Sequence, residues 1–172
     1  MERAQGWLSL KRATPMPVGA YLVSKVAASM VFGTVILILM AVCAIGLGGV
    51  RLPAAGWLAL WAVMVLGCIP FCLLGLIMAF VVPPTGAPAV VNLVNLPLAF
   101  AGGFWMPVEN LPPFFQTLAP AVPQYHLCQL ALASVGMAEP KTAMHVAALA
   151  LFTVAFAALA WVAYLRSDAR QG

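Results

Sequence analysis

Apolar residues in this chain fall into long runs rather than the alternation of half-buried strands, and a run of about 20 is the length that crosses a bilayer as a helix. The first run, Ala27 to Leu47 within a predicted helix over 21–47, holds no charge and ends at Gly48-Gly49. A second covers 57–82, from Trp57 to Val82, with Pro70 near its middle and Pro83-Pro84 as its stop. Pro70 has no N–H to give to the preceding turn, so a kink is expected there. The third run, 89–105, is shorter and mixed, because Asn92, Asn95 and Pro97 interrupt it before Gly102-Gly103. The fourth, 144–165, is rich in alanine, which lets a neighbouring helix approach closely. Four membrane spans follow from this pattern.

Two segments fit neither a span nor a simple loop. In residues 2–10, Trp7, Leu8 and Leu10 are interleaved with Glu2, Arg3, Gln5 and Ser9, and Pro15 and Pro17 follow. A helix there is amphipathic and lies along the membrane surface. The stretch 106–139 is punctuated by Pro107, Pro112, Pro113, Pro120 and Pro123, yet stays apolar through Phe114, Phe115, Leu118 and 127–135. It is too apolar for open water and too broken for a span, which predicts two short helices dipping back into the membrane against other protein. The expected fold class is an all-α integral membrane protein forming one domain over 1–172. Four transmembrane helices are preceded by an amphipathic helix at 1–12, and short external re-entrant helices precede the last span.

Composition sharpens this. Of 172 residues, 65% are hydrophobic and 7% charged, against about half and a quarter in soluble domains. A water-soluble globular protein is excluded, and most of the surface must meet lipid or other protein. The net charge is +4, but no basic run is interleaved with aromatic residues, so nucleic-acid binding is not indicated. The charge instead orients the chain. Arg3, Lys11, Arg12 and Lys25 precede the first span and Arg166 and Arg170 follow the last, while Arg51 and Lys141 fall in the loops 48–56 and 106–143. The positive-inside rule then makes both termini cytoplasmic. No apolar core stands directly behind the first basic residues, so the N-terminus does not read as a secretory signal, and insertion relies on the later spans.

Motifs for covalent chemistry are missing from the sequence: it has no nucleophile elbow, P-loop, H-E-x-x-H or intramembrane carboxylate pair. An enzyme is not expected. Cys43, Cys68, Cys72 and Cys128 suggest no disulfide framework, and Cys68 and Cys72, four apart, suit packing better than ligation. Glu109 and Glu139 read as solvated loop charges, and serines and threonines in the spans are expected to bond their own helix backbone. His126 and His145 fall toward the external side and are able to meet there with Cys128 or Met144, although their spacing matches no metal signature. An electron-transfer subunit holding haem or metal on these histidines is the alternative they raise. Asn92 and Asn95 share a helix face, and an amide facing lipid is costly. Either interhelical hydrogen bonds or a polar path satisfies them.

The stretch NLVNLPLAFAGGFWMPVENLPP, Asn92 to Pro113, resembles the segment of ABC-2 type transporter permeases that holds the fifth transmembrane helix and the start of the external re-entrant helices, and PQYHL, Pro123 to Leu127, also fits. At the other end ERAQGWLSLKRATPMP, with Tyr21 and Lys25, looks like the family's cytoplasmic E-R-E-x-G segment, with Ala4 in place of the second Glu. Family permeases usually have six spans with that segment between the second and third. The resemblance therefore implies the C-terminal four-span portion of a permease, lacking the first two spans. A truncated, non-transporting remnant is a further alternative.

The resemblance implies the membrane subunit of an ABC exporter in the inner (cytoplasmic) membrane. Its partners would be a second permease copy, identical or not, and ABC ATP-binding subunits that hold ATP and Mg. No cofactor is expected on this chain itself. Glu2, Arg3, Trp7, Leu8, Leu10, Lys11 and Arg12 would form the coupling helix that docks on the ATPase. Asn92, Asn95, Phe100 and Phe104 are the candidates for lining the translocation path, with the external hairpin as outer gate. The cargo is not readable from the residues.

Overall fold

Where a chain offers its backbone no polar surroundings, N–H and C=O groups must pair within the segment, and a helix is the local solution. A computed structural model describes residues 18–83, 86–138 and 141–169, and among them there is no strand. The helices are α1 (Val18–Gly46), α2 (Ala54–Gly67), α3 (Ile69–Val81), α4 (Ala87–Ala101), α5 (Pro113–Leu118), α6 (Pro123–Ser134) and α7 (Thr142–Ala169), with 3-10 turns at Val108–Asn110 and Ala119–Ala121. The segment proposed for coupling, with Glu2, Arg3, Trp7, Leu8, Leu10, Lys11 and Arg12, lies outside the described residues.

Among the described residues three stretches are long and apolar enough to cross a membrane: Val23–Gly46 in α1, Ala54–Val81 through α2 and α3, and Thr142–Arg166 in α7. Within α1, Ser29 Oγ donates to the Lys25 carbonyl at 3.0 Å and Thr34 Oγ1 to that of Met30 at 2.9 Å. In α7, Thr153 Oγ1 donates to Leu149 at 2.7 Å. These hydroxyls bond their own helices, as the sequence predicts.

The second run is broken where its proline demands. Cys68 separates α2 from α3, and Pro70 occupies the first turn of α3, where a missing N–H leaves no extra carbonyl uncovered beyond the break itself. The Cys68 N–H still reaches the Met64 carbonyl at 3.2 Å and the Cys72 N–H reaches Cys68 at 3.0 Å, so the two helices continue each other across a one-residue break. The prolines of the re-entrant stretch act similarly. Pro113 and Pro123 are the first helical residues of α5 and α6, positions where a fixed φ favours helix entry.

Helix α4 differs from the predicted 89–105 run because it stops at Ala101. Its 15 residues span only about 22 Å at 1.5 Å per residue, short of a bilayer core of about 30 Å. The stop is a turn at Gly102 and Gly103; Gly103 has φ +83°, a conformation that residues with a Cβ rarely adopt.

Burial is concentrated in the re-entrant part. Val108, Leu111 and Ala119 form one buried cluster with Phe100, Phe115 and Tyr125 packed on it. Leu127, Leu130 and Leu149 form a second, flanked by Val63, Met64 and Phe71. Helix α6 lies between α2 and α7, while α7 also runs along α3 and α4 touches both α3 and α6. An edge-to-face pair, Phe80 with Tyr164 at 5.5 Å, ties α3 to α7. Helix α1 packs on α2 and α3 but buries none of its span; Phe32, Ile36, Leu39 and Met40 point outward. Lipid or a partner helix must solvate that surface.

Candidate functional site

Polar side chains gather where α4 ends against α6 and where α6 meets α7. Asn95 and Gly102 are two helical turns apart, so they share a face of α4, and both meet Gln124 in the first turn of α6. A Cβ on Gly102 would fall onto the Gln124 Cβ, and within 2.9 Å of the Gln124 carbonyl carbon and the Tyr125 nitrogen. Only glycine allows the two backbones to approach this closely. Two turns earlier, Gln124 Nε2 donates to Asn95 Oδ1 at 3.3 Å. Gln124 is 1% exposed, and its Oε1 has no hydrogen-bond partner among the described residues, an uncommon state for a buried acceptor.

Two residues further along α6, in the re-entrant head that α5 and α6 form, His126 meets His145 of α7. Their Nδ1 atoms are 2.9 Å apart, His126 Nε2 is 2.9 Å from the Pro120 carbonyl oxygen, and each residue is 5% exposed. Tyr125 sits edge-on to both rings, at 5.4 Å and 5.7 Å between centroids. The sequence placed these histidines on the same side, and the fold puts them in direct contact. Cys128 and Met144 do not complete a ligand set with them: Cys128 Sγ donates to the Gly103 carbonyl at 3.5 Å. Among the described residues no three His, Cys, Asp or Glu side chains converge as metal donors.

A cavity of about 490 Å³ opens beside this pair. Glu109, Tyr125, Cys128, Gln129, Lys141 and His145 supply its polar wall. Burial, and then the Glu109 carboxylate, push the Cys128 thiol above its ordinary pKa, so Cys128 is held as a neutral thiol rather than a reactive thiolate.

The sequence model of the ABC-2 type transporter family matches residues 1–135. The chain belongs to that family. It is also similar to a protein of Bacillus subtilis (strain 168) named "Putative transport permease YvfS", at 27% identity over 125 residues, 73% of this chain and 51% of that protein. The chain thus spans about half the length of this curated relative. No solved structure matches it.

In this ABC-2 permease the four residues proposed for the path are not brought together. Asn92 and Asn95 are exposed on α4; Asn95 bonds Gln124, whereas Asn92 has no side-chain partner among the described residues. Phe104 is 48% exposed beyond the end of α4. Phe100 turns the other way, into the head, edge-on to Phe115 at 5.4 Å. Sequence reasoning missed Gln124. Its only signal was a long amide immediately after a helix-starting proline, inside a stretch too apolar to be solvent-facing.

Proposed function

We propose that this permease is the membrane subunit of an ATP-driven exporter, with ATP hydrolysed by ABC subunits bound on the cytoplasmic side of the inner membrane. The observation that carries the reading is one family match running without interruption from the amphipathic segment to the end of α6, so the parts proposed for coupling and for gating belong to a single family domain. In this reading Glu2, Arg3, Trp7, Leu8, Leu10, Lys11 and Arg12 dock the ATPase, the apolar residues as anchors and the charged ones around them. Both termini are cytoplasmic.

A second permease copy completes the transporter. The uncovered face of α4, with Asn92, Leu93, Asn95 and Leu96, supports this, because exposed amides among leucines are poorly served by lipid alone. Asn92, Asn95 and Phe104 line the path between copies, and Phe100 anchors that wall to the head. ATP binding and hydrolysis bias two packings of the same helices, opening the path to alternate sides. Replacing Trp7 and Leu8 by Asp is expected to abolish co-purification with the ATPase; unchanged association of a protein that still inserts would remove this segment from the interface.

A further inference from the structure

The cavity beside the histidines is walled by opposite charges. Glu109, in the 3-10 turn Val108–Asn110, and Lys141, one residue ahead of α7, both border it, and neither is in an ion pair among the described residues. His145 adds an acceptor. The Pro120 carbonyl only accepts, so His126 Nε2, 2.9 Å away, must carry a hydrogen. With both rings neutral, His126 Nδ1 then accepts and His145 Nδ1 donates across 2.9 Å, which leaves the lone pair of His145 on Nε2. That atom has no hydrogen-bond partner among the described residues, and His145, 5% exposed, borders the cavity where His126 does not. A buried acceptor is costly unless a ligand or water supplies its donor.

Depth narrows what the ligand is. The span Thr142–Arg166 has 25 residues, about 37 Å of helix against a hydrocarbon core of about 30 Å. Lys141, ahead of the span, therefore lies in the headgroup layer. Met137 and Met144, exposed on the same wall, give the cavity an apolar edge.

We propose that this cavity binds the phosphoethanolamine headgroup of a membrane phospholipid, its primary ammonium taken by Glu109 and His145 Nε2 and its phosphate by Lys141. The first N–H groups of α7, which starts at Thr142, add positive potential beside Lys141. At Met137 and Met144 the glycerol and acyl chains leave for the bilayer. A volume of about 490 Å³ suits a headgroup and not a whole two-chain lipid. Two other headgroups fit less well. Choline carries the positive charge but no N–H for His145 Nε2, and a glycerol headgroup brings a phosphate with no cation for Glu109.

Native mass spectrometry of the full chain in detergent, titrated with dioleoyl phosphatidylethanolamine, phosphatidylcholine or phosphatidylglycerol, tests this. Phosphatidylethanolamine should bind about tenfold more tightly than phosphatidylcholine, the effect of one hydrogen bond between a charged donor and a buried acceptor. Glu109→Gln should weaken phosphatidylethanolamine about fivefold and spare phosphatidylglycerol, whereas Lys141→Gln should weaken both about fivefold, the upper range for exposed charges. Glu109 and Lys141 are exposed, so neither change disturbs the packed head. Arg51→Gln, in the loop before α2 and off the cavity wall, should match wild type. Equal binding of the ethanolamine and choline lipids by wild type overturns the proposal. So does a lipid ranking unchanged in Glu109→Gln, or a loss in Arg51→Gln as large as in Lys141→Gln. A soluble source of the same chemistry, glycerophosphoethanolamine, should fail to displace the lipid at about a hundredfold excess, because it lacks the apolar burial of the acyl chains. Displacement would assign the cavity to the soluble compound and overturn the lipid. The assay involves neither an ATPase partner nor transport.

Discussion

Gly102→Ala isolates the junction on which the re-entrant head is built. The backbone there is ordinary helical, φ −77°, so alanine suffers no conformational penalty and the whole effect is steric. The added methyl meets the Gln124 Cβ and two backbone atoms at 2.9 Å, and backbone cannot rotate aside as a side-chain tip can. Overpacking of this kind costs about 1–3 kcal/mol, and contact with main-chain atoms puts it at about 3. Gly75 in α3 is the control, since a Cβ there meets nothing within 4 Å and alanine in a helix interior gains about 1 kcal/mol over glycine. The two variants should therefore differ by about 4 kcal/mol, nearly three orders of magnitude in the unfolding equilibrium. Thermal and dodecyl-sulfate unfolding in detergent, followed by circular dichroism, measures the difference. If Gly102→Ala is as stable as Gly75→Ala, α4 does not lock onto α6 through this contact and the account of the head is wrong.

Asn95→Leu should destabilise the fold by about 1–3 kcal/mol, because it strips the partner from a buried Gln124 amide, whereas Asn92→Leu should stay within about 0.5 kcal/mol of wild type in the same unfolding assay. Gln124→Met should cost less than Asn95→Leu, since it removes the buried polar group and its orphaned oxygen together; a larger cost would show that the Gln124 amide is satisfied in some other way. An impermeant thiol reagent applied to intact cells should label a cysteine placed at Asn110 and spare one placed at Gln171, and the reverse result would invert the orientation. Alkylation of Cys128, followed by peptide mass spectrometry, should keep rising with pH beyond the ordinary thiol range of about 8.5 to 9. Glu109→Gln should move that profile to lower pH, because removing the carboxylate removes one of the two influences that raise the pKa.

Spans, the helix break ahead of Pro70 and family are local or compositional properties, and the sequence carries them. A bilayer requires about 20 apolar residues in a row, which α1, the α2–α3 pair and α7 display openly. Proline acts on its own backbone, so the break ahead of Pro70 and the starts of α5 and α6 were legible in the same way. The true end of α4 was not, because Phe104 and Trp105 extend its apolar run and only the turn at Gly103 takes the chain out of the helix.

The head was beyond the reach of periodicity. His126 lies 19 residues from His145, and Gln124 lies 29 from Asn95; no spacing rule links such positions, because their meeting depends on how α4, α6 and α7 cross. The exposure of Asn92 beside the engagement of Asn95 is decided likewise, since both occupy one helical face and only the placement of α6 distinguishes them. The sequence by itself determined that this chain lives in a membrane, which stretches are helical and which family it belongs to. Tertiary structure alone decided which polar groups are paired, which are orphaned and where two histidines meet, because hydrogen bonds require atoms within about 3 Å and a linear sequence contains no such distances.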